Sequence, residues 1–237
     1  MWDQPPNAAA FAAYRVANRN FSELVYQPLY DWQLMPAGGA QTLNFFQLPQ
    51  GQGITSALGA TVGTPKTLND TNMTLGGQLP SGMEFMIESI EVPFLPGSVS
   101  TANTYTPAAF LNFNAAASAT LGAPWFNDVN TFYQGGRLEF TVLAKKFLTD
   151  SPLYKFIPRV QFTVDAASAS TSATQGATVF GKAGLTGPLY ELKPPISLQP
   201  SCNFGIDLVW PAVVAMPSGF IGRVGVTLQG YTLRAGQ

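Results

Sequence analysis

Few residues of this chain are of the types that do chemistry, and their spacing decides what each could do. Glu84, Glu88 and Glu91 fall in one short segment, and a hydrolase needs two carboxylates brought face to face. In a regular strand Glu84 and Glu88 share one side and Glu91 points away. Solvated or subunit-contacting charges are the simpler reading. The stretch Gly176-Ala-Thr-Val-Phe-Gly181-Lys182-Ala183 nearly reproduces a phosphate-binding loop. It fails at Ala183, which lacks the hydroxyl that would reach a magnesium ion. Gly184, Gly187 and Pro188 also oppose the helix that should follow. Asp70-Thr-Asn72 is too short a piece of a calcium loop to count. Histidine is absent and Cys202 is the only cysteine, so the usual catalytic base and transition-metal ligands are missing. Cys202 cannot form an internal disulfide and reads as a small buried hydrophobe. Trp210 falls on an apolar strand face and is expected in the core. Trp2 and Trp125 are expected to be exposed aromatic contacts, for a sugar or for another subunit. No catalytic, cofactor-binding or metal site is expected, and no enzyme.

Composition points the same way. Of 237 residues only 11% are charged, against 46% hydrophobic and 12% aromatic. The 12 Asn and 14 Gln together outnumber the 25 charged side chains. Such hydrophobic content excludes a disordered chain, and a surface of amides, hydroxyls and apolar atoms suits packing against neighbours. Net charge is −1 and Lys145-Lys146 is the only basic doublet, which argues against a specific nucleic-acid surface. The stretches Trp32 to Pro65 and Val92 to Asn127 carry no charge, but prolines and asparagines interrupt the second. Neither offers the roughly 20 consecutive apolar residues of a spanning helix. The first residues lack the basic and apolar regions of a secretory leader. The Asn-x-Ser/Thr triplets at Asn20, Asn69 and Asn72 then carry no glycosylation meaning.

The elements that would position these residues are read from periodicity. Residues 7–19, alanine-rich and preceded by Pro5-Pro6, predict one helix, with Phe11 and Tyr14 on one side and Arg15 and Arg19 four apart. Beyond it the period becomes two. Leu138, Phe140 and Val142 alternate with polar residues, as do Val160, Phe162 and Val164, then Phe204, Ile206, Leu208 and Trp210, then Val224, Val226 and Leu228. From Met83 to Phe94 the alternation slips by one place, which predicts a bulge near Glu88-Ser89. Weaker strand candidates are 24–34, 42–48, 72–79, 154–158 and 189–198. Long connectors are expected at 49–71, 96–130 and 166–187, and turn glycines at Gly51, Gly53, Gly76, Gly77, Gly135 and Gly136. With no second helical period between strands, the class is all-β.

Three segments carry a resemblance: Lys66 to Pro80 (KTLNDTNMTLGGQLP), Gly136 to Leu153 (GRLEFTVLAKKFLTDSPL) and Gly225 to Arg234 (GVTLQGYTLR). They resemble the jelly-roll coat proteins of tailless icosahedral bacteriophages. The resemblance implies a β-sandwich, many copies in a closed shell, often over an internal membrane, and no catalysis. About ten strands favour a single jelly roll with long loops over a compact double one.

The resulting expectations are specific. Residues 1–22 form a helical arm and 23–237 the coat domain. The protein is a structural capsid subunit of the virion, assembled in the host cytoplasm. Its partners are copies of itself in trimeric capsomers and other virion proteins. An inner viral membrane is a further expected contact, through Phe11, Tyr14, Arg15 and Arg19. The alternative is a carbohydrate- or receptor-binding β-sandwich using Trp125.

Overall fold

A computed structural model describes residues 21–57, 63–99, 123–158, 160–167, 178–185, 189–217, 219 and 221–235. The helix expected at 7–19 lies outside these residues. In chain order the elements are β1 (Phe21–Tyr26), β2 (Leu29–Met35), β3 (Ala40–Phe45), β4 (Met83–Glu91), β5 (Phe94–Val99) and α1 (Ala123–Gly135). They continue with β6 (Arg137–Val142), β7 (Lys145–Pro152), a 3₁₀ turn (Leu153–Phe156), β8 (Val160–Ala167) and β9 (Thr178–Leu185). The last three are β10 (Tyr190–Leu198), β11 (Phe204–Val214) and β12 (Ile221–Ala235). The class is all-β, built on two antiparallel sheets.

The 15-residue β12 is the spine of the first sheet. One of its edges pairs with β1 and β2 in succession, the other with β4 and β5, and β10 continues from β4. Pro28 and Pro93 fall in the gaps between those successive strands, where a missing N–H costs the ladder nothing. Backbone groups of β12 bridge both gaps: Gly230 O accepts from Gln27 N, and Gly225 N donates to Pro93 O. The second sheet runs β3-β11-β6-β7. β8 and β9 pair only with each other among the described strands.

The core lies between the two sheets. From the first come Phe85, Ile87, Ile90, Val224, Val226 and Leu228; from the second come Phe45, Leu138, Phe140, Ile206, Leu208 and Trp210. These are the period-two positions, so each sheet turns one face inward. The predicted slip in β4 is a bulge. Gln229 pairs with Ser89 but Gly230 pairs with Ile87, leaving Glu88 without an opposite residue. Ile87 and Ile90, three apart, are both fully buried because of it.

Several expectations are corrected. Residues 72–79 form no strand, only an isolated bridge between Leu75 and Gln78. Residues 154–158 overlap the 3₁₀ turn, whose three-residue repeat buries Leu153 and Phe156 together. The connector expected at 96–130 begins inside β5 and ends inside α1, and 166–187 begins inside β8 and contains β9. The helix α1 has Phe132 stacked on Phe94 at 4.3 Å and tilted against Trp210 at 5.3 Å. Tertiary packing holds it, which is why its weak local propensity concealed it. Gly51, Gly53 and Gly77 have positive φ, as turn glycines should. Gly136 instead serves close packing: an added Cβ would fall 2.3 Å from Leu153 Cδ1 and 2.7 Å from Trp210 Nε1.

Candidate functional site

The β3–β4 connection holds the most concentrated polar chemistry of the described residues. It starts at Phe46, which has φ 68° and is fully buried. A left-handed phenylalanine is strained by about 1–2 kcal/mol. Its N–H donates to Asp31 Oδ2 at 2.7 Å, so a side chain on β2 helps hold the chain in this conformation. Asp31 Oδ1 meets Lys66 Nζ at 2.6 Å, with the two side chains 0% and 2% exposed. Burial raises the Asp31 carboxyl above the ordinary range, and Lys66, the Phe46 amide and Thr71 oppose that rise only in part.

Asp70 is the second centre. Its Oδ1 accepts from Ser56 N at 2.7 Å and Ser56 Oγ at 2.8 Å. Its Oδ2 accepts from Thr55 Oγ1 at 2.6 Å and Thr67 N at 3.0 Å. Burial works against this carboxylate, yet the bonds from Thr55, Thr67 and Ser56 hold it below its usual range. Arg223 of β12 reaches over the group. Its Nη2 is 3.9 Å from Asp70 Oδ1 and donates to Asn69 O at 2.8 Å, while its Nε donates to Ser56 Oγ. The guanidinium also stacks on Trp32.

Residues 70–72 run along the free edge of β2. Trp32 N donates to Asp70 O, Tyr30 N to Asn72 Oδ1, and Thr71 Oγ1 to Tyr30 O. An edge strand left open is a template for foreign pairing, and this segment covers it. Every described oxygen of the two carboxylates is engaged by the protein itself. The arrangement clamps a loop; it presents no free nucleophile or base.

The residues singled out from sequence lie apart from this cluster. Trp2, Phe11, Tyr14, Arg15 and Arg19 are outside the described residues. Trp125 lies in the first turns of α1, and its side chain is outside them too. Trp210 is fully buried, as expected. Cys202 is half-buried in the Gln199–Cys202 turn rather than packed in the core. The bulge alters the acid segment: with one extra residue between them, Glu84 and Glu91 share the outer face of the sheet. They still serve different partners. Glu84 is buried beneath Ser197 and Gln199, which both donate to it. Glu91 accepts from Gln229. Glu88 sits half-buried near Glu191, and burial followed by that like charge raises its carboxyl. From Thr178 onward the phosphate-loop near-match lies in β9, where Gly181 and Lys182 pair with Val164 and Thr163.

Sequence reasoning missed Asp31, Lys66, Thr55, Ser56 and Arg223 as one group. The available signal was Thr67-x-x-Asp70, a local hydroxyl-carboxylate spacing, and an aspartate within the apolar strand 29–35.

No family model, curated protein or solved structure matches the chain. Among the described residues no three His, Cys, Asp or Glu side chains gather to hold a metal. No described helix is long and apolar enough to cross a membrane.

Proposed function

We propose that this protein is a structural subunit of a closed virion shell, folded as a single jelly roll. The observation that carries the reading is an inversion of the usual surface. Asp31, Lys66, Asp70, Glu84 and Asp128 are buried, while Leu68, Leu143, Ile54, Val213 and Tyr154 are each more than half exposed. Large apolar side chains on a surface poor in charge are what subunit contacts consume.

Strand order supports the jelly roll. The pairs β2·β12, β3·β11, β4·β10 and β6·β7 are nested like the two arms of one long hairpin. Rolling that hairpin so that β12 meets β4 and β11 meets β6 produces two four-stranded sheets. Eight strands wound in this way are a jelly roll, with β1, β5, β8, β9 and α1 as additions. Lectin domains share the architecture, and fold alone does not choose between them; the exposed apolar set favours the shell.

The shell reading carries the arm with it: the residues before β1, with Phe11, Tyr14, Arg15 and Arg19, contact a neighbouring subunit or an inner membrane. Deletion of residues 1–19 leaves all β1 pairs in place, since β1 starts at Phe21. The monomer should melt almost unchanged while assembly weakens.

Electron microscopy and particle mass of the purified protein test the proposal. Closed particles of many copies are expected, abolished by Leu143→Asp with Val213→Asp while the monomer still melts cooperatively. A protein that stays monomeric at all concentrations, or that binds glycans saturably through Trp125, overturns it.

A further inference from the structure

We infer that residues 63–72, with Thr55 and Ser56, are an acid-released strap over the edge of β2. The inference does not depend on the shell reading. The strap is fastened through one carboxylate of its own, Asp70, and one beneath it, Asp31.

Geometry makes the Asp70 fastening sensitive to a single proton. Ser56 N, Ser56 Oγ, Thr55 Oγ1 and Thr67 N all point donors at this carboxylate. A protonated Asp70 would set an O–H against one of them and forfeit that oxygen as an acceptor. Its charged surroundings are few: Arg223 from β12 at 3.9 Å, and Tyr30 of β2, whose phenol is raised by burial and then by Asp70. Asp31 faces Lys66 from the strap, with the Phe46 amide and Thr71. The two acids act with opposite sign. Asp70 is held below its ordinary value, so its contribution is complete above that value and is lost as pH falls through the lowered one. Asp31 is raised, so a proton on it favours the closed strap fully below the ordinary value, and that contribution is lost as pH rises through the raised one. Asp31 thus firms closure in mild acid, and the strap opens once pH falls through the lowered Asp70 value, where four donors lose their charged acceptor. Opening frees the amides of Tyr30 and Trp32, an unpaired strand edge.

Amide hydrogen exchange of the full chain, corrected for intrinsic rates, tests this between about pH 6 and about pH 2, below the ordinary Asp value. The amides of Trp32, Ser56 and Thr67 should lose about tenfold or more of their protection while those of Ile206 and Leu208 in β11 keep theirs. Asp70→Asn should lower strap protection at the upper pH and abolish its further loss at the lower one. Thr55→Val, a milder change that deletes one hydroxyl donor to Asp70, should move opening to higher pH. Parallel loss in strap and β11 amides, or strap protection that does not vary with pH in the native chain, overturns the inference.

Discussion

The Arg223 guanidinium lies 4.3 Å from the centre of the Trp32 ring, and the same ring covers the backbone of Gly225. An added Cβ at Gly225 would fall 2.7 Å from Trp32 Cδ2. Gly225→Ala should push the ring off its seat and cost about 1–3 kcal/mol, the usual range for overpacking. Much of that loss should pass through the stacked pair. Combined with Arg223→Ala, the two costs should sum to less than additive in a urea double-mutant cycle.

The Lys66–Asp31 pair should show the asymmetry of buried charges. Lys66→Met alone leaves a buried carboxylate without its partner and should cost about 3–5 kcal/mol. Lys66→Met with Asp31→Leu should recover most of this, or exceed the parent by about 1–4 kcal/mol. Chemical denaturation of Lys66→Met, Asp31→Leu and the double variant checks it. Additive single effects would show the pair is uncoupled.

At Gly230, where the β4 bulge meets β12, an added Cβ would lie 1.9 Å from Met86 O. That neighbour is backbone, so no side-chain rotation relieves the clash. Gly230→Ala should therefore lose more than about 4 kcal/mol, in the tail of single-substitution effects. A thermal melt within a few degrees of the parent would contradict the register described.

Trp210 Nε1 donates to Phe132 O at 3.1 Å, tying β11 to the end of α1. Trp210→Phe keeps an aromatic ring but removes that bond, at about 0.5–1.5 kcal/mol. Exchange protection near the C-terminal turn of α1 should fall more than in β6.

Glu139 contrasts with the buried cluster. Hydrogen bonds from Lys146 and Arg137 hold its carboxyl below the usual range on the outer face of the second sheet. Its small contribution is present at neutral pH and disappears as pH falls through that lowered value. Glu139→Gln should cost less than about 1 kcal/mol at neutral pH. High salt should shrink the difference, whereas the Lys66 effect should persist in salt.

Local pattern alone determined the strands with one face inward. Period two at 138–142, 204–210 and 224–228, and the slipped phase at Glu88, are properties of neighbouring residues, and β6, β11, β12 and the bulge follow from them. Scarcity of charge was likewise legible, and with it the exclusion of chemistry needing histidine or clustered cysteine. Tertiary structure decided the rest. The helix α1 exists because Phe132 can stack on Phe94 from β5, a contact between residues 38 positions apart. The ionic cluster joins Asp31, Thr55, Lys66, Asp70 and Arg223, which no spacing rule connects, because β12 returns at the end of the chain to lie beside β2. Burial then converts ordinary charges into a clamp. Desolvation depends on what covers a group, and what covers Asp31 and Asp70 is chain that arrives only on folding.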